Sequence, residues 1–153
     1  MIVVVRHGRT AANAGGLLLG RADPPLDAEG DRQVAGLARA CADLDVARVV
    51  TSPLGRCRTT AGAIAAAVGG MPVEVDDRWI ELDYGELDGL PLAELPASLW
   101  SAWRSDPGWA PPGGEPRMVP VCEADAQRVE RGEDPEAREV TVGGQRMPYW
   151  AAG

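Results

Sequence analysis

Apolar positions in this chain fall into short β-branched runs separated by helical stripes. Residues 2–5, Ile-Val-Val-Val, form a continuous run without polar alternation. That pattern predicts a strand buried on both faces, as in a parallel sheet. A Gly-rich stretch follows (Gly15, Gly16, Gly20), then Pro24-Pro25, and reads as a loop. Asp27 is a predicted N-cap. The helix after it carries Val34, Leu37, Ala38, Cys41 and Leu44 on one core-facing stripe. Residues 46–51 predict a second strand, 55–68 an Ala-rich helix closed by Gly69-Gly70, and 73–75 a third strand. A further helix is expected over 91–103, carrying Trp100 and Trp103, and the Pro/Gly-rich stretch 105–116 reads as irregular. Alternating strands and helices predict an α/β fold, a layered sandwich around a mostly parallel central sheet.

The pattern breaks near residue 116. Residues 123–139 hold seven acids and three arginines with weak apolar periodicity. Val140-Thr141-Val142 alternates as a possible short strand, and the closing MPYWAAG shows no clear element. The expected division is therefore a coherent α/β domain over 1–115 and a divergent tail over 116–153. A length of 153 residues fits one domain of ordinary size. No apolar run approaches the roughly 18–20 residues of a membrane span, and the opening MIVVVRHG lacks the features of a secretory signal. Cys41, Cys57 and Cys122 show no CxxC spacing, so a reduced, cytoplasmic protein is expected.

Charge changes the picture further. The net charge of −8 argues against a nucleic-acid or acidic-membrane binder. Yet residues 1–60 carry eight Arg against six acids, whereas 61–153 carry seven Arg against 17 acids. The cationic part is also where the chemistry lies. Ligands in open α/β sheets bind beyond the carboxyl ends of strands. The three predicted strands run into Arg6-His7-Gly8, into Thr51-Ser52-Pro53-Leu54-Gly55-Arg56, and into Trp79-Ile80-Glu81. Two guanidiniums, Arg6 and Arg56, match phosphate oxygens as planar forks. A neutral His7 can attack phosphorus, and Glu81 can protonate the leaving oxygen and then activate water. Gly8 would let the backbone approach the substrate. No metal or cofactor is needed, because the arginines stabilise the charge. A single histidine also leaves little to build a His-rich metal site.

These motifs carry a resemblance. RHGRTAAN at 6–13, TSPLGRCRTTA at 51–61 and WIELDYGELDGL at 79–90 resemble, in order, the three signatures of the histidine phosphatase superfamily, the phosphoglycerate mutase-like proteins. GLLLGRADPPLDAEG at 16–30 is similar to the connection of its bacterial small-molecule phosphatases, and PPGGE at 111–115 to the start of its PxGES segment. The resemblance covers about residues 1–115. It implies a phosphohistidine at His7, a proton donor at Glu81, a phosphate clamp of Arg6 and Arg56, and a pocket shaped by Asn13. Thr10 and Ser52 are weaker candidates for polar contacts. The implied partner is a small phosphorylated metabolite, without nucleic acid or membrane. Arg9 and Arg21 read as solvated loop charges, with guidance of anionic substrates as the alternative, Arg58 as a helix-surface or ion-pair residue, and Asp83, Glu86 and Asp88 as solvated loop acids. Cys57 reads as a packing residue, and Trp100, Trp103 and Trp109 as packing or lid residues.

The chain also departs from the family. A second histidine on a late V-[TS]-H-G strand is absent, since His7 is the only histidine, and Pro116 stands where PxGES has Ser. Val140-Thr141-Val142-Gly143-Gly144 echoes V-T-H-G-G with Val142 at the histidine position. The break at 116 leads to the expectation of a truncation or a changed reading frame there, leaving the sheet incomplete at its C-terminal side. Phosphatase chemistry impaired by the missing imidazole is the leading expectation. A phosphate-binding module without turnover and a defective truncated product are the alternatives.

Overall fold

The computed structural model describes residues 2–106, 108–116, 137–142 and 145–150. The chain forms two compact units, Met1–Arg117 and Met118–Gly153.

In the first unit the stretch after His7 is not all loop. Ala11–Ala14 form a one-turn helix, α1, begun by a capping box. Thr10 Oγ1 accepts from the Asn13 amide (3.2 Å), and Asn13 Oδ1 accepts from the Thr10 amide (3.1 Å). Asn at the third helical position does the work that Glu or Gln performs in the usual motif, which is why the sequence pattern does not announce it. Helix α2, Ala28–Cys41, starts where its cap predicts: Asp27 Oδ1 accepts from the amides of Glu29 (2.9 Å) and Gly30 (2.8 Å). Val34 and Cys41 of the expected stripe are buried.

Strand β1 (Val49–Thr51), helix α3 (Gly55–Ala67) and strand β2 (Val73–Val75) form a β-α-β unit with parallel strands, Val49 paired with Val73 and Thr51 with Val75. Gly69 (φ 109°) and Gly70 (φ 74°) turn the chain between α3 and β2 through backbone angles that side chains disfavour. Helix α3 packs against α2, β1 and β2. Val34 and Cys41 of α2, Leu54, and Ala61, Ile64 and Ala65 of α3 supply most of the buried apolar side chains.

Two expectations fail here. Residues 2–5 are not a strand, and Ile2 and Val4 are 76% and 81% exposed. Apolar β-branched residues make a two-sided strand only when neighbouring strands supply the ladder and the cover. Among the described residues β1 pairs with β2 alone. The helix expected over 91–103 is also shifted. A 3₁₀ turn, Leu92–Glu94, precedes α4, Ala97–Ser105, and Pro96 stands at the break. Proline lacks the amide for a continuous helix and disfavours helical backbone before it.

In the second unit, β3 (Ala137–Val142) and β4 (Gln145–Trp150) pair antiparallel, Val142 opposite Gln145 and Ala137 opposite Trp150. The expected strand at 140–142 is longer than its sequence pattern. The MPYW stretch, which reads as unstructured, lies in a strand despite Pro148.

Gly8 has a packing role besides the substrate approach the sequence suggests. A Cβ there would lie 2.8 Å from both Gly30 O and Val34 Cγ2 on α2. The Gly8 amide donates to Thr60 Oγ1 on α3 (3.1 Å), so this residue pins the histidine between two helices. Gly8→Ala is expected to lower stability by about 1–3 kcal/mol through overpacking. The check is a lower urea midpoint at unchanged slope.

Candidate functional site

His7 is half-buried and its Nδ1 lies 2.7 Å from the Gly8 carbonyl. A carbonyl can only accept, so this bond places the proton on Nδ1 and leaves the lone pair on Nε2. Burial lowers the pKa of the imidazole from its ordinary value, and the charges of Arg56 and Arg6 lower it further against the opposing pull of the Gly8 carbonyl and Glu81. His7 is therefore held neutral with one nitrogen free, the state a nucleophile requires.

Arg56 opens α3 and is 2% exposed. Its Nη1 donates to Ala22 O (2.7 Å) and its Nη2 to Gly20 O (2.8 Å). Asp23 Oδ1 lies 3.5 Å from Nη1. Asp23 also accepts from the Gly55 and Arg56 amides, capping a helix whose own N-cap residue, Leu54, offers no side-chain bond. The third nitrogen, Arg56 Nε, is buried without a partner. A buried N–H left unpaired is costly, so a fixed guanidinium with its Nε–H unspent suits an anion.

Arg6 is exposed and makes no hydrogen bond or ion pair with a described residue, and its charge is felt at His7. Glu81 is exposed; its Oε1 accepts from the Leu82 amide (2.9 Å), and its charge also reaches His7. Asn13 Oδ1 is taken up by Thr10, which leaves the side-chain NH₂ of Asn13 as its donor. His7, Arg6, Arg56 and Glu81 are thus electrostatic neighbours, while Asn13 sits one helical turn past the histidine.

Several polar side chains have other roles than the sequence suggests. Thr10 is fully buried and serves α1 as its cap. Ser52 Oγ accepts from the Leu54 amide (3.4 Å) in the turn into α3. Arg9 pairs with Asp27 (2.8 Å), and the Gly30 amide above all holds the Asp27 carboxyl below its ordinary range. Burial pushes the Cys57 thiol up, which agrees with a packing role.

The acid-bearing loop is braced by charges that the sequence assigns to solvent. Arg21 Nη2 meets Glu115 Oε2 at 2.7 Å, its Nη1 lies 3.5 Å from Asp83, and its Nε donates to the Glu81 carbonyl (3.5 Å). Glu115 Oε1 accepts from the Asp83 amide (3.0 Å). Gly85 (φ 53°) sits so close to Pro112, Gly113 and Gly114 that a Cβ would collide with them. The PPGGE stretch is therefore the floor under this loop. Asp88 is not solvated either: both oxygens accept backbone amides, of Gly20 (2.9 Å) and Ala22 (2.7 Å).

Tyr84 meets Trp103 edge-on and Trp103 stacks on Trp100, each at 5.4 Å between centroids. With Leu18, Leu82 and Trp109 they surround a cavity of only 10 Å³, about room for one water. These rings pack on one another, and burial pushes the Tyr84 phenol up to about 12. Among the described residues no helix is long and apolar enough to cross a membrane, and no group of three or more His, Cys, Asp or Glu is placed to hold a metal ion.

Comparison with known proteins places the chain in a family. Residues 2–132 match the profile of the Histidine phosphatase superfamily (branch 1). Glucosyl-3-phosphoglycerate phosphatase of Mycolicibacterium vanbaalenii is 36% identical over 120 residues, 76% of this chain and 53% of the relative. The probable phosphoglycerate mutase GpmB of Yersinia enterocolitica is 38% identical over 94 residues, 61% of this chain and 43% of the relative. Among solved structures, mycobacterial glucosyl-3-phosphoglycerate phosphatase Rv2419c in complex with VO3 superposes with a TM-score of 0.68 at 31% identity, covering 86% of this chain and 64% of that one. The α-ribazole phosphatase from Shigella flexneri gives 0.63 at 32% identity, covering 84% and 63%. The chain spans about half the length of the curated relatives it matches, or less.

Proposed function

The chain belongs to the histidine phosphatase superfamily and has its α/β layered fold, and from that membership we propose that it binds a small phosphate monoester and transfers the phosphoryl group to His7. The observation that carries the reading is Arg56: a buried guanidinium, both ends fixed by backbone carbonyls and Nε unpaired, whose charge bears on a histidine with free Nε2. That combination supplies a phosphate clamp and a nucleophile in one place.

The chemistry proceeds in two displacements. His7 Nε2 bonds to phosphorus as the bond to the leaving oxygen breaks, and protonated Glu81 gives its proton to that oxygen. Ionised Glu81 then takes a proton from water, whose oxygen attacks phosphorus and releases His7 with orthophosphate. Arg6, Arg56 and the Asn13 side-chain NH₂ neutralise the phosphoryl oxygens in both steps. Residues 1–115 carry all of the groups named in these two steps. The free thiols of Cys41 and Cys57 fit a reducing cytoplasm. His7 is the one histidine of these 153 residues, so they do not themselves supply the family's second imidazole. Loss of one charge-stabilising donor reduces rates by roughly 10²–10³, so these residues by themselves turn over slowly. The same observation favours a second reading, a phosphate-binding module with no turnover.

A thermal-shift titration with orthophosphate tests the site itself. Binding to the native state alone raises stability by about 2.7 kcal/mol at a ligand concentration of 100 Kd, so the melting temperature should climb with orthophosphate. An unchanged melting temperature up to tens of millimolar would refute the phosphate site. Hydrolysis of an aryl phosphate then separates enzyme from binding module.

A further inference from the structure

The residue that organises the clamp from behind is Asp88. It ends the 3₁₀ turn Gly85–Leu87 in extended conformation. Its Oδ1 accepts from the Gly20 amide (2.9 Å) and its Oδ2 from the Ala22 amide (2.7 Å). The carbonyls of the same two residues receive Nη2 (2.8 Å) and Nη1 (2.7 Å) of Arg56. Residues 20 and 22 therefore face a carboxylate with their N–H groups and a guanidinium with their C=O groups.

The surroundings fix this relay in register. The Gly89 amide donates to Leu18 O and the Leu18 amide to Leu90 O, each at 2.8 Å, so the chain on either side of the relay is tied together. Gly20 leaves no slack, since a Cβ there would lie 2.5 Å from Leu82 O and 3.3 Å from Asp88 Oδ2. Ion-to-amide bonds such as those of Asp88 are the strong class. Without them residues 20–22 would lose the anchor on one side, and the carbonyls of Gly20 and Ala22 would be free to turn away from Arg56.

We infer that Asp88 is a positioning residue for the phosphate clamp: acting through residues 20–22, it holds both terminal nitrogens of Arg56 on backbone carbonyls and leaves Nε as the donor for phosphate. The inference rests on the phosphate-site reading above, but its core, the placement of Arg56, can be read without any ligand.

His7 is the only histidine, so its ring signals in a proton NMR spectrum are unambiguous. The first measurement is the His7 titration midpoint in the ligand-free wild type, Asp88→Asn and Asp88→Ala. Release of Arg56 should move the midpoint up, more in the alanine variant than in the isosteric asparagine one. The second is orthophosphate affinity in Asp88→Ala, Arg56→Lys and the double variant. Asp88→Ala should weaken binding at least tenfold, and the double variant should be no more than twofold weaker than Arg56→Lys alone, because both changes disable one device. A midpoint unmoved in folded Asp88→Asn and Asp88→Ala overturns the inference, as does a double variant whose losses simply multiply. If only Asp88→Asn folds, its midpoint decides. If the wild type binds no orthophosphate but the midpoint moves, the phosphate reading falls and the placement of Arg56 by Asp88 stands.

Discussion

Replacing Arg56 with alanine is expected to abolish orthophosphate binding and to reduce the unfolding free energy by about 3–5 kcal/mol, the typical loss when one partner of a buried charged network is removed. The side chain is 2% exposed and joins Gly20 O and Ala22 O to the start of α3, beside Asp23. Its removal leaves two carbonyls without their donors, an aspartate without its counter-charge, and a void at the start of α3. Domains have only about 5–15 kcal/mol in total, so the variant should be partly unfolded at modest urea. Arg56→Lys should recover some stability and little affinity. One ammonium cannot reach both carbonyls and still present a third donor in a fixed plane. Urea unfolding of the three proteins, with and without orthophosphate, reads both effects. An alanine variant as stable as the wild type would show that the buried network contributes nothing, and the clamp would then have to be built elsewhere.

The elements around this clamp were legible in the sequence wherever the signal is local. The Asp27 cap, the Val34–Cys41 stripe, the Gly69-Gly70 stop and the Val-Glu-Val alternation at 73–75 each state their structure within a few residues. His7, Arg56 and Glu81 are singled out in the sequence because each follows a strand-like run at a characteristic motif, and in the structure the charges of Arg56 and Glu81 bear on His7. The bracing residues were not. Asp88 binds amides 68 and 66 positions away, and Arg21 meets Glu115 across 94. Nothing in the neighbourhood of a charged loop residue distinguishes such a partner from water. Thr10 shows the converse: it stands beside the nucleophile motif, so proximity suggests a phosphate contact, while its hydroxyl is spent on the capping box of α1. Residues 2–5 fail for a third reason. Their apolar character is local, but strand formation depends on hydrogen-bonded neighbours that the run itself cannot specify.

His7→Ala is expected to leave the fold intact, to keep orthophosphate affinity within a few-fold, and to reduce aryl phosphate hydrolysis to the uncatalysed background. Among the described residues the His7 ring is tied only to the carbonyl of the next residue, so its removal disturbs no distant contact there. Arg56 is held by Gly20 and Ala22 and does not lean on the imidazole. What vanishes is the lone pair that attacks phosphorus, and with it any labelled phosphoenzyme trapped at alkaline pH, where a P–N bond survives. The pH dependence follows from the same group. Burial, Arg56 and Arg6 set the His7 pKa below its ordinary 6.5. Protonation removes the nucleophile, so on the acid side the His7-dependent limb should stay flat as pH falls past 6.5 and drop only at the lower value. In Arg56→Lys, which keeps a positive charge near His7, that limb should move less than in Asp88→Ala if the latter frees the guanidinium. Turnover that survives in His7→Ala, or a His7-dependent limb already half lost above pH 6.5, would place the nucleophile somewhere other than the imidazole that Gly8 holds.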